Sequence, residues 1–202
     1  MYASSVAIYG EGFGRAPFVE TDSPKPLSPY GVGKASAEMY GKLFQERNPD
    51  SVYVALRLHN IYGPGQDIST YEQGIVSIFA GQLVNFGKIE VKGSPNRLRD
   101  LTFISDCVDC FLRALEVREP KSYFLNVCTG AGIAVKEIIQ ELLNWRGGGE
   151  VVWGEQDPAD PLSTIGNPQK CSEVLGWKAK IQFQEGLSRT LQFIETTEEE
   201  NR

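Results

Sequence analysis

The residues best placed to do chemistry stand in Ser28-Pro-Tyr-Gly-Val-Gly-Lys-Ala-Ser-Ala-Glu-Met-Tyr40, where Tyr30 precedes Lys34 by four positions, just after a proline able to open a helix. Side chains four apart share a helix face, so the phenol and the ammonium can point into one cleft. A neighbouring cation favours phenolate over phenol, and the pairing would make Tyr30 a base near neutrality. The same spacing also arises by chance on an exposed turn. The rest of the chain has to decide.

Other reactive groups offer less. Cys107-Val-Asp-Cys110 has redox or metal spacing, but it lies in SDCVDCFLRALE, whose Val108, Phe111, Leu112 and Leu115 form a helical apolar face, and no second C-x-x-C follows. We read Cys107, Cys110, Cys128 and Cys171 as buried free thiols. The single histidine, His59, excludes a multi-histidine metal centre, and no G-x-S-x-G elbow supplies a serine nucleophile.

The elements that must position Tyr30 and Lys34 follow from punctuation and periodicity. Met1–Ile8 reads as a strand, Gly10–Pro29 as a loop, Gly31 to about Asn48 as a helix and Val52–Leu58 as a buried strand, one crossover unit of a parallel α/β sheet. Beyond a loop from Asn60 to Ser69, helices are expected near Tyr71–Phe86, Ser105–Val117, Val135–Trp145 and from about Gln184, with short strands at Ile89–Val91, Leu101–Ile104 and Glu150–Trp153. The tail TTEEENR reads as frayed. The fold class is therefore α/β: a partial Rossmann-type parallel sheet in 1–66, interleaved with about 101–128, plus a small mixed lobe mainly in 67–202.

The chain has 202 residues, 41% hydrophobic and 23% charged, enough for one sizeable core, and its formal net charge of -6 disfavours nucleic acid. No apolar run approaches the ~20 residues of a membrane span, and MYASSVAIYG lacks the basic flank of a signal peptide; a cytoplasmic protein is expected.

Ser4-Ser-Val-Ala-Ile-Tyr-Gly10, Tyr30-x-x-x-Lys34, Arg57-Leu-His-Asn-Ile-Tyr-Gly-Pro64, Arg99-Asp-Leu-Thr-Phe-Ile-Ser-Asp106, Leu175-Gly-Trp177 and Phe183-x-Glu-Gly-Leu187 occur in this order over nearly the whole chain. Together they resemble the extended short-chain dehydrogenase/reductases, the NAD-dependent epimerase/dehydratase family. The resemblance implies that NAD and a nucleotide sugar meet between the sheet and the smaller lobe. It makes Tyr30 the catalytic base, Lys34 its support and a holder of the nicotinamide ribose, and Ser5 a hydrogen-bond partner of the reacting oxygen. It makes His59 a wall beside the cofactor, and Asn60 and Arg99 grips for the diphosphate and sugar. Arg99 also has a structural alternative, a surface ion pair with Asp100 or Asp106. Thr164 stands where the family lines the sugar's 2-substituent, and its small size leaves room for an N-acetyl group.

Dehydratases of the family resemble S-T-D-E-V-Y-G, with an acid and a base after the serine; here Val6 and Ala7 occupy those places and neither moves a proton. That favours 4-epimerases or simple reductases, in which only hydride and one hydroxyl proton move, and we read the reaction as UDP-glucose 4-epimerase-like. A sugar-nucleotide reductase or dehydratase of the same family, or a non-catalytic binding and assembly remnant, are the alternatives. The family's opening G-x-x-G-x-x-G does not occur in the sequence. The chain thus resembles the C-terminal part of an epimerase, expected to hold NAD poorly by itself. Where the family carries a diphosphate-gripping arginine, Asp157 stands instead. An unpaired strand edge and stripped helix faces lead us to expect a homodimer covering Met1–Ile8 and the Tyr-x-x-x-Lys helix.

Overall fold

The computed structural model describes residues 1–11, 17–70, 74–155 and 160–200, the side chain of Glu200 apart. Gly12 to Gly14, the expected helix start at Tyr71 and Asp157 lie outside these residues.

Three parallel strands form the main sheet in the order β1 (Tyr2–Ser5), β2 (Tyr53–Leu58), β7 (Ser122–Val127). The chain crosses from β1 to β2 through α1 (Pro29–Arg47), as the strand–helix–strand pattern predicts. Val54 and Leu56 of β2, with Tyr123, Leu125 and Val127 of β7, pack under α3 (Ile104–Ala114) and α5 (Gln169–Leu175). Alternation along the strands then turns Ala55, Arg57 and Asn126 to the α1 side. Gly176 takes φ +59 at the end of α5 and turns Trp177 into the core, where its indole N–H donates to the Asp106 carbonyl at 2.9 Å.

A second apolar cluster joins β3 (Ile61–Tyr62), β4 (Lys88–Lys92) and β6 (Thr102–Phe103) to α2 (Ile75–Phe86), α4 (Val135–Arg146) and α6 (Phe183–Glu200). Short pairs complete this part: β3 with β6, β4 with β9 (Glu150–Gly154) in parallel, and β5 (Leu98–Arg99) with β8 (Ile133–Ala134) antiparallel. No helix among the described residues is long and apolar enough to cross a membrane.

Several expectations need correction. The first strand ends at Ser5 and Val6–Ile8 forms a 3-10 turn, because the Ser5 hydroxyl accepts the Ala7 N–H at 3.2 Å and diverts the backbone. The stretch Leu101–Ile104 divides: Thr102–Phe103 pairs with β3, while Ile104 already begins α3. The strand β7 and the helix α5 were absent from the expected elements. The acidic tail is helical to Glu200 rather than frayed, since Arg146 pairs with Glu198 at 3.0 Å and the Trp145 indole donates to Glu195 at 2.6 Å.

Candidate active site

Tyr30 and Lys34 sit in the first turns of α1 because Ser28 caps the helix, accepting the Gly31 N–H at 3.1 Å, and Pro29 needs no partner at the first position. A Cβ on Gly31 would stand 2.5 Å from the Ala7 carbonyl oxygen, so glycine lets the helix start lie directly on the turn after β1. Lys34 reaches back to that strand. Its Nζ donates to the Ala3 carbonyl at 2.8 Å and lies 5.4 Å from the Tyr30 ring centre and 5.2 Å from that of Tyr2. Tyr30 is 59% exposed. Ser5, at the end of the same strand, is half-buried and keeps its hydroxyl proton for a further acceptor. Tyr30 and Lys34 are thus together at the carboxyl end of β1, the end at which open parallel sheets bind ligands.

Behind this open face lies a closed polar core that sequence reasoning missed. Arg57 and Glu38 form a bidentate pair, with Nε 3.0 Å from Oε1 and Nη2 2.7 Å from Oε2, and both residues are buried. Arg57 also donates to the Tyr9 hydroxyl at 2.8 Å, which donates to Asn126 at 2.7 Å; Asn126 in turn donates its backbone N–H to the Glu20 carboxylate and its side-chain amide to the Phe18 carbonyl. Burial keeps the Tyr9 phenol protonated, against the pull of Arg57. The network ties α1, β2, β7 and the loop before α1 into one body. Its only signal in sequence is an arginine inside an otherwise apolar strand, YVALRL.

The expected substrate residues meet elsewhere, around Asp160–Gly166. Asn60, with φ 35, gives its amide to the Asp100 carbonyl at 3.0 Å and to the Thr164 hydroxyl at 2.8 Å. His59 Nδ1 lies 2.8 Å from the Thr164 carbonyl; since a carbonyl only accepts, Nδ1 carries the proton. His59 is wholly buried, and burial lowers its pKa despite the nearby Asp100 charge. A Cβ on Gly166 would stand 2.5 Å from the His59 ring, so glycine allows the loop to lie on the imidazole. The histidine is therefore enclosed beneath this loop. Asp100, also unforeseen, accepts N–H groups from Thr129 at 2.8 Å and Gly130 at 2.9 Å and holds the neighbouring loop.

Arg99 is buried rather than at the surface, and its partner is Asp160, not Asp100 or Asp106. Those two carboxylates are engaged by backbone N–H groups, Asp106 by Lys180 and Ile181 at 2.9 Å each. All four cysteines are buried and free, and burial raises Cys107 to about 12, which suits inert thiols. Among the described residues no cluster of ligands could hold a metal.

A family model described as GDP-mannose 4,6 dehydratase matches residues 1–190. The chain is 30% identical over 195 residues to dTDP-4-dehydro-6-deoxyglucose reductase of Escherichia coli, covering 95% of this chain and 60% of the relative. It is 31% identical to a putative UDP-glucose 4-epimerase of Methanocaldococcus jannaschii, covering 95% of this chain and 61% of the relative. Among solved structures, UDP-glucose 4-epimerase of Thermotoga maritima with UDP-glucose superposes with TM-score 0.87 at 33% identity, covering 97% of this chain and 62% of that one. MoeE5 in complex with UDP-glucose and NAD superposes with TM-score 0.86 at 30% identity, covering 96% and 64%. The chain thus spans about three-fifths of the curated relatives it matches. From the match across residues 1–190 and the shared α/β fold, the chain belongs to the NAD-dependent epimerase/dehydratase family, whose members here include nucleotide-sugar epimerases, dehydratases and reductases.

Proposed function

We propose that this chain carries the proton-transfer and sugar-binding residues of an NAD-dependent nucleotide-sugar 4-epimerase. The observation that carries the reading is Lys34, held by the Ala3 carbonyl at 2.8 Å and lying 5.4 Å from the centre of the exposed Tyr30 ring. In this reading Tyr30 takes the proton of the sugar's 4-hydroxyl, Lys34 supports the phenolate, and Ser5 donates its hydroxyl proton to the reacting oxygen. Bound NAD supplies the redox chemistry. The residues fit its nicotinamide end, since Lys34 spends one N–H on Ala3 and has two more for ribose hydroxyls. His59, enclosed beneath the loop with no exposed surface, supports the site from behind and does not reach the cofactor as the resemblance implied. Asn60, Thr164 and Arg99 shape the sugar and diphosphate side.

Val6 and Ala7, without proton-transfer groups, weigh against dehydration. A reductase uses the same tyrosine and lysine and is the second reading, supported by the similarity to the Escherichia coli enzyme. The assay that separates them follows UDP-glucose by NMR with NAD and the full protein. Appearance of UDP-galactose without net cofactor consumption supports the epimerase; accumulation of a 4-keto product with stoichiometric reduction of NAD to NADH refutes it. The reading also includes a homodimer across α1, supported by the outward Met39, Tyr40 and Phe44. Sedimentation as a monomer at micromolar concentration counts against that part.

A further inference from the structure

The two strands of the β4–β9 pair have differently finished outer edges. The Glu150 N–H donates to the Gly87 carbonyl at 3.0 Å and the Gly154 carbonyl accepts the Gly93 N–H at 3.3 Å, so Glu150, Val152 and Gly154 turn their backbone groups toward β4. Val151 and Trp153 therefore turn theirs outward, with no strand beside them among the described residues. On β4 the outward groups belong to Lys88, Glu90 and Lys92, and the Gln82 side chain accepts the Glu90 N–H at 2.9 Å. Charged residues and a side-chain cover thus guard that edge. The strand β9, Glu150-Val-Val-Trp-Gly154, has no lysine or proline and pairs without a bulge. Its Val152 and Trp153 are 40% and 47% exposed.

We propose that the outer edge of β9 is a self-association surface, on which a second copy of this chain adds its own β9 antiparallel about a two-fold axis beside Val152. The register follows from which groups point outward. With Val152 facing its own counterpart, Val151 stands opposite the second copy's Trp153 and Trp153 opposite its Val151, and each of these pairs exchanges both backbone bonds. Every outward donor and acceptor of Val151 and Trp153 is then used, which a shift by one residue forbids. The side chains agree with that register. Val151 packs on the apolar cluster beneath the strands, and Trp153, on the same face, comes to lie across the second copy's Val151 as an aromatic on β-branched pair. Glu150 falls opposite Gly154 and Glu155 opposite Gly149, so no two carboxylates are opposed. An unrelated peptide would gain the ladder without these pairs. The surface is on a different element from α1 and does not rest on the nucleotide-sugar reading.

The test is sedimentation velocity of the whole chain over about 1–300 μM, the range in which a small interface shows itself, with folding checked by circular dichroism. Trp153→Pro removes an outward N–H and leaves the β4 ladder intact, since Trp153 gives no backbone bond to β4. We expect the parent to associate with rising concentration and Trp153→Pro to raise the dissociation constant by about tenfold or more, because the two-fold contact loses a ladder bond and an indole from each copy. If Trp153→Pro does not fold, Val152→Lys takes its place with the same expectation, since it sets two like charges opposite each other. The register has its own readout. Opposed residues that share no hydrogen bond stand about 4.5 Å apart at Cα, within the reach of a disulfide. The native cysteines are all buried, so Val152→Cys should cross-link the chain to itself under mild oxidation, and Glu150→Cys should do so about tenfold more slowly. A parent that stays monomeric over the whole range overturns the proposal. So does association that Trp153→Pro and Val152→Lys leave within about twofold and Met39→Lys abolishes, which places the contact on α1. Equal cross-linking of Val152→Cys and Glu150→Cys rejects the register, and with it the argument for a second copy.

Discussion

The two polar regions of the molecule are built in opposite ways. At Tyr30 and Lys34 the pair comes from one helix, faces outward and touches the sheet through one lysine bond to Ala3. At Arg57 and Glu38 the pair spans α1 and β2, is buried, and its arginine also donates to the Tyr9 hydroxyl and the Glu20 carbonyl. The first can exchange protons with a ligand and contributes little to stability. The second can do nothing to a ligand but fixes the helix on which Tyr30 stands. The contrast is one of accessibility: a polar pair left open can meet a ligand, and an ion pair enclosed with complete hydrogen bonding serves placement.

The strongest way to break this contrast is Glu38→Gln. It leaves the Arg57 charge buried without its counter-ion, and we expect a loss of about 3–5 kcal/mol, read as a fall of roughly 10 °C in Tm. Tyr30→Phe, by contrast, should leave stability within about 0.5 kcal/mol, since the side chain is largely exposed. Equal losses in a denaturant titration of the two variants would erase the distinction.

Next in size is Gly166→Ala. The new methyl would meet His59 Cε1 at 2.5 Å and Cys128 Sγ at 2.8 Å, both on buried residues. Forcing them apart should cost about 1–3 kcal/mol and loosen the Thr164–Gly166 segment, seen as faster amide exchange there. Unchanged stability and exchange would show that the loop does not depend on the imidazole.

A smaller effect sharpens the comparison by pH. His59 is the single histidine, and its folded pKa lies below the unfolded value of about 6.5 because burial penalises the cation. The unfolded state therefore binds the proton more readily, so stability is complete above the unfolded pKa and is lost as pH falls from there toward the folded one. Urea midpoints should drop as pH falls below about 6.5, and His59→Asn, which keeps a donor near the Nδ1 position, should flatten that limb. A limb unchanged in His59→Asn would assign it to carboxylates instead.

What could be read from the sequence follows the same division. Tyr30 and Lys34 were legible because one helical turn separates them and Ser28-Pro29 announces the helix. The pairing of β1 and β2 was legible because their connection is a single helix. Arg99 and Asp160 were not legible as a pair, since they lie 61 positions apart and meet only when the loop folds back over β5. The strand β7 was obscured by its own polar residues: Asn126 belongs to the buried network and Ser122 donates to Gln45 at 3.2 Å, so neither follows a simple apolar pattern. The helical tail was hidden for a related reason. TTEEE has no apolar stripe, and what orders it is Arg146, a residue 52 positions away.

The central claim is that the accessible pair does the chemistry, and Tyr30→Phe tests it most directly. Its epimerisation of UDP-glucose with NAD should be compared with that of the parent full protein. Loss of the phenolic oxygen should lower kcat by on the order of 10²–10⁴ with KM for UDP-glucose nearly unchanged, because the base acts on the reacting proton and not in binding. A variant that retains kcat within about threefold would contradict the account, since removing a true base costs at least a hundredfold.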